Sequence, residues 1–231
     1  PTPGVDPTYI KEFFAQNSGE AFNLFNAFTG GSFEQMSILA LSITPYITSS
    51  IIVQLLTIAI PKLEEMQKDG EDGRKKIVAI TRYLTVGLAL MESTAMAVGF
   101  GRQGLLKEFN FVNAAIVVLT LTAGSTFLMW IGERITEKGV GNGISIVLVI
   151  NIISRIPSDM TTLFTKFVKG KSLASGGLAV VIIVAIILVL VVFVVVLQDG
   201  ERRIAVQYSQ KVMGRRTYGG QSTNIPLKVN T

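Results

Sequence analysis

The sequence predicts an all-α membrane protein: a polytopic helical bundle with about five transmembrane helices, a short external helix near its start and a cytoplasmic β-hairpin loop at its end. Three observations carry this. Hydrophobic residues make up 49% of the 231 residues and the mean hydropathy is +0.50, more than a soluble domain of this size carries. Residues Leu178 to Leu197 are drawn only from Ala, Val, Ile, Leu and Phe, and a helix of that length, at about 1.5 Å per residue, crosses roughly 30 Å of hydrocarbon. The basic residues fall in short clusters between apolar segments, as loops that set orientation do.

Taken in order, residues 1–35 form an external segment, within which EAFNLFNAFTG (20–30) carries Phe22, Leu24, Phe25 and Phe28 in a run too short to span. Gly30 and Gly31 follow as a helix stop, so a short external or re-entrant helix is expected there. The membrane domain covers 36–197, with apolar segments at 36–60, 78–100, 112–131, 143–156 and 177–197. The fourth is short, bounded by Gly141, Gly143 and Pro157, and its Ser145, Asn151 and Ser154 favour contact with protein over lipid. Residues 61–76 read as a polar loop. In the basic loop 198–231, RRIAVQY (202–208) and NIPLKVN (224–230) nearly alternate apolar and polar residues around a Gly and Ser cluster at 219–222, which predicts a protruding hairpin.

Charge orients the bundle. If all five segments cross, the loops 61–82, 132–143 and 198–231 share one side and hold six, two and six Lys or Arg. The other seven basic residues lie opposite, so the richer side is cytoplasmic. The net charge of +5 follows from these clusters and does not call for direct DNA binding. The chain opens at Pro1 with no leader and stops after a polar loop, and it reads as an excised or processed piece.

Catalytic chemistry finds little support. There is no cysteine and no histidine, which excludes thiol nucleophiles, imidazole acid–base work and Cys/His zinc sites. Gly99, Gly101 and Gly104 match GxGxxG, but they end a membrane span instead of opening a helix after a strand. Gly170, Lys171 and Ser172 lack the first glycine of a phosphate loop, and Glu133 and Glu137 read as a solvated helix end. No enzyme activity and no cofactor are expected. The intramembrane polar residues carry more information. Glu92 lies mid-segment beside Ser93 and Thr94, and Gln54 with Thr48, Ser49 and Ser50 makes part of the first segment polar; such residues either bond neighbouring helices or line a cavity.

Three strings carry a family resemblance: SITPYITSSIIVQLL (42–56), FLMWIGERITEKGVGNGISI (127–146) and GRRTYGGQSTNIPLKVN (214–230). In content, order and spacing they resemble the SecY family, over nearly the whole chain, from just after that family's first membrane helix to just before its seventh. The resemblance implies one part of a ten-helix channel, built of two inverted halves around an hourglass pore with a lateral gate. It translocates unfolded, signal-bearing polypeptides across the cytoplasmic (inner) membrane of a bacterium and inserts membrane proteins into it.

By motif, Ile43, Ile47, Ile144 and Leu148 match four of the six residues of the apolar pore ring, and residues 20–30 match the plug helix. An apolar constriction resists ions by dewetting, although isoleucines four apart also suit a core or a lipid face. Gln54 and Glu92 fall at the lateral gate. Arg202, Arg203, Lys211, Arg215 and Arg216 match the cytoplasmic surface on which the SecA motor or the ribosome docks. Further partners implied are SecE, SecG, signal peptides, nascent polypeptides and membrane lipid. Two departures stand out: Leu148 replaces a commoner isoleucine, and Asn224 stands where the family usually has histidine. A different class of reading, a secondary transporter of a small solute, would use Pro45, Gly87, Gly141 and Gly143 as helix breaks and Glu92 as a coupling carboxylate; a third is a non-conducting scaffold fragment.

Overall fold

The structure is a computed structural model and describes residues 2–16, 19–206, 211–213, 216–218 and 223–229. It divides into two units, Pro1–Ser158 and Asp159–Thr231, which are described separately.

The first unit opens with α1 (Pro7–Gln16) and α2 (Glu20–Phe28). The sequence predicts α2; α1 is an addition, and its start is written in Asp6-Pro7-Thr8. Asp6 Oδ1 accepts from the Thr8 hydroxyl at 2.6 Å and the Thr8 amide at 3.0 Å, and Pro7 fills a first-turn position that needs no N–H. These bonds from Thr8 hold the Asp6 carboxyl below the usual aspartate range. Val5 bridges to Leu106, and Phe13 and Phe14 pack edge-on against Phe22.

The first expected span, 36–60, is only partly helical. Residues 30–43 run as successive turns, with Met36 at φ 44° and Ser42 at φ 51°, and helix α3 covers Thr44–Ala59. The turns hold because their carbonyls find partners outside a helix. Met36 O accepts from Thr2 N (2.8 Å) and Thr2 Oγ1 (2.9 Å), and Ser42 O from Ser125 Oγ (3.0 Å), which satisfies groups that hydrocarbon would leave unpaired. Ile60 is extended ahead of Pro61 (φ −110°, ψ 112°), as a residue before proline tends to be. The chain therefore bends by 103° into α4, Pro61–Lys68. That stretch was expected as a loop. It is a short helix with Pro61 at its start, a Glu64–Lys68 pair at 2.6 Å, and Leu63 and Met66 half-buried.

Helices α5 (Glu71–Phe100) and α6 (Phe111–Lys138) are the long elements, each extending beyond its apolar segment into the basic loops. A π-helical turn, Gly101–Leu105, closes α5; it contains two glycines of the GxGxxG match, with Gly104 at φ 113°. Thr81, Thr85, Ala89, Ser93 and Ala97 form a buried stripe of small residues at every fourth position of α5. Such a stripe lets helix backbones approach closely. On α6, Gly124 takes the Ile38 carbonyl where a Cβ would sit. The core joins Met36, Ala40 and Leu41 of the turns to Ala89, Ala97, Val117 and Leu121 of the two helices.

Helix α7 (Gly143–Ser154) follows a tight reversal in which Gly141 has φ 70° and Asn142 caps the new helix, its Oδ1 accepting from Ile144 N at 3.1 Å. The fourth apolar segment was expected to end at Pro157, yet helix α8 covers Ile156–Phe167. Pro157 instead occupies its first turn, where a missing N–H is tolerated. Gly143–Phe167 together is 25 residues, long and apolar enough to cross a membrane.

In the second unit, α9 (Leu173–Asp199) is apolar on every side, and Ser172 caps its start. Strand β1 (Glu201–Val206) then pairs antiparallel with β4 (Thr223–Lys228), and β2 (Lys211–Met213) with β3 (Arg216–Tyr218). The expected hairpin is present, one to two residues earlier than its sequence pattern, with a second small ribbon. Counting the bent pair α3–α4 as one, the described residues hold up to five candidate spans.

Candidate functional site

One cleft brings together three of the residues the sequence singles out, Ile47, Ile144 and Leu148. Its walls come from the first turns of α3, the last turns of α6 and the first turns of α7, and its volume is about 740 Å³. The α6–α7 reversal makes it possible. Gly143 lies against the Gly132 carbonyl, where no Cβ fits, and Gly143 N donates to Thr136 Oγ1 at 2.8 Å. From that crossing, Ile144 and Leu148, one turn apart on α7, line the cleft opposite Ile47 of α3.

The rim is polar. Arg82 of α5 donates from Nε to Glu133 Oε1 of α6 at 2.8 Å, with the Glu133 side chain only 16% exposed. Tyr46, Thr136 and Asn142 also line the cleft. Sequence reasoning missed this pair, since its members lie 51 residues apart and Glu133 reads as part of a solvated end. Glu137 does belong to such an end, paired with Arg134 at 3.1 Å. The arrangement combines an apolar wall with a charged pair, beside the basic loops 61–82 and 132–143 of the same unit.

Of the four residues expected in a pore ring, Ile47, Ile144 and Leu148 meet on the cleft, and Ile43 does not: it is fully buried at the start of α3. At the other end of the unit, α2 turns Phe22 towards Phe13 and Phe14 and Phe25 towards Phe33 at 4.9 Å, while Leu24 (59%) and Phe28 (40%) are exposed. Gly30 brings the end of α2 onto α7, against Asn151 and Ser154. Gln54 is exposed on α3 and Glu92 half-buried on α5, and no hydrogen bond among the described residues joins them.

Arg202 and Arg203 are exposed on β1, opposite Leu227 and Pro226, so successive side chains take opposite faces of the ribbon. Lys211 and Arg216 lie on β2 and β3, and Arg215 falls outside the described residues.

Comparison with known proteins follows this geometry. The family model for SecY matches residues 37–231. Protein translocase subunit SecY of Corynebacterium glutamicum is 43% identical over 241 residues, covering 100% of this chain and 53% of its own length. The subunits of the same name from Pseudomonas aeruginosa and Escherichia coli K12 are 42% and 40% identical, again over 100% of this chain and 51% and 52% of theirs. The chain thus spans about half the length of these relatives. A solved structure, "The structure of a protein conducting channel", superposes with a TM-score of 0.56 and 18% identity over 96% of this chain and 51% of that one. At that identity the likeness concerns the fold.

Proposed function

This chain belongs to the SecY family, and on that premise we propose that it forms part of a protein-conducting channel for unfolded polypeptides in the cytoplasmic membrane of a bacterium. It is a multi-pass membrane protein with no bond chemistry of its own in this reading. The observation that carries the proposal is the cleft, in which Ile47, Ile144 and Leu148 present an apolar wall beside the Arg82–Glu133 pair. A wall without charge gives an ion nothing to replace its water, yet it accepts an extended chain of any sequence. Helix α2 serves as the external plug, Gln54 and Glu92 lie along the lateral gate, and the Arg202 and Arg203 ribbon with Lys211, Arg215 and Arg216 offers cations to a ribosome or a SecA-type motor. SecE and SecG subunits complete the channel, and signal peptides and nascent chains are its passengers. Family membership disfavours the small-solute transporter, which would centre on Glu92.

The test is electrical. Replacing Ile47, Ile144 and Leu148 with Asn in the assembled channel should raise resting ion leakage in planar bilayers while polypeptide translocation persists. Unchanged leakage in variants that still open would remove these residues from the constriction.

A further inference from the structure

We propose that Asn26 and Glu34 are positioning residues that clasp α2 shut across a two-glycine hinge, an inference that rests on reading α2 as the plug. The hinge is Gly30–Gly31, with φ of 66° and 84°. Both lie in the left-handed region that only glycine adopts freely, and a Cβ at Gly31 would meet nothing within 4 Å. Beyond the hinge the chain is fixed. Thr2 holds Met36 O, Ser125 holds Ser42 O, and Asn151 Nδ2 donates to Ser42 Oγ at 3.1 Å. Movement between α2 and this anchored stretch therefore concentrates at the two glycines.

Across that point runs a reciprocal pair of bonds. Asn26 Nδ2 donates to Glu34 Oε2 at 3.0 Å, and Glu34 N donates to Asn26 Oδ1 at 3.2 Å. Asn26 is 4% exposed, on the face of α2 opposite the exposed Leu24 and Phe28. Among the described residues, no other side-chain to side-chain hydrogen bond links α2 to the stretch beyond the hinge. Other ties near the hinge are the Phe25–Phe33 ring contact, the bonds from Phe33 N to Thr29 Oγ1 and from Ser32 N to Thr29 O, each at 3.3 Å, and the packing of Gly30 against Asn151 and Ser154. Ring contacts tolerate sliding, whereas a primary amide that both gives and receives fixes register and angle. The pair suits a reversible catch. When α2 swings out, water rehydrates the amide and the carboxylate, so opening forfeits only the small net worth of the two bonds.

The experiment records the purified channel complex containing this chain in planar bilayers, at rest and after addition of a signal-bearing polypeptide. Resting open probability, normalised to channels opened by the polypeptide, should rise roughly tenfold in Asn26→Ala and Glu34→Ala. Glu34→Gln keeps an acceptor for Asn26 Nδ2 and the backbone donor, and should stay within about twofold of the parent. Normalisation removes the effect of any variant that merely folds less well. Resting probability unchanged in Glu34→Ala, or Glu34→Gln as leaky as Glu34→Ala, overturns the clasp and leaves the channel reading standing. A parent complex that never conducts when given polypeptide overturns the channel reading, and the clasp with it.

Discussion

Asn151 Nδ2 donates a 3.1 Å hydrogen bond to Ser42 Oγ, joining residues 109 positions apart. Ser42 is buried, its φ of 51° is unusual for a residue other than glycine, and its carbonyl is held by Ser125 Oγ. One residue thus ties the turns ahead of α3 to α6 and α7 together. The strained backbone is tolerated because each polar atom it presents is answered.

Asn151→Ala should therefore lower thermal stability of the purified protein by about 1–2 kcal/mol, as removal of one partner of a buried hydrogen bond does. Ser42→Ala should cost a similar amount, and the double variant little more than either alone. Strictly additive losses in detergent melting curves would show that the two side chains do not interact.

At the α6–α7 crossing, Gly143→Val places a side chain where the Gly132 carbonyl lies. Overpacking of this kind costs about 1–3 kcal/mol or more, so this variant should show a lowered melting temperature. Gly87→Ala on α5 is the control. A Cβ there meets nothing within 4 Å, and alanine is the better helix former by about 1 kcal/mol, so the melting temperature should hold or rise.

The distribution of basic residues predicts sidedness. Cysteines introduced at Asp69, just after α4, and at Lys169, just after α8, should label from opposite faces of intact cells or oriented vesicles, Asp69 from the cytoplasmic one. Labelling from the same face would break the five-span arrangement.

Periodicity and composition made the apolar segments at 78–100, 112–131, 143–156 and 177–197 legible, because burial in hydrocarbon demands long runs with few charges. The first segment misled. Residues 36–43 are as apolar as a helix needs, but distant partners at Thr2, Ser125 and Asn151 take up their backbone and side-chain groups, and no local pattern reports such partners. Helix α8 was hidden by Pro157, whose effect depends on whether it opens a helix or interrupts one. At the site, a spacing of four placed Ile144 and Leu148 on one wall, while the burial of Ile43 and the Arg82–Glu133 pair depend on how α3, α5 and α6 meet.

Helix α9 has almost the same surface on every side from Leu178 to Leu197. A cylinder without a stripe has no preferred azimuth in hydrocarbon. Turning it about its own axis exchanges one valine or leucine for another against the acyl chains, at almost no change in transfer free energy. The ribbon that begins at Glu201 is joined to it through Gly200 alone, so the compass bearing of Arg202 and Arg203 is not written into the helix that carries them.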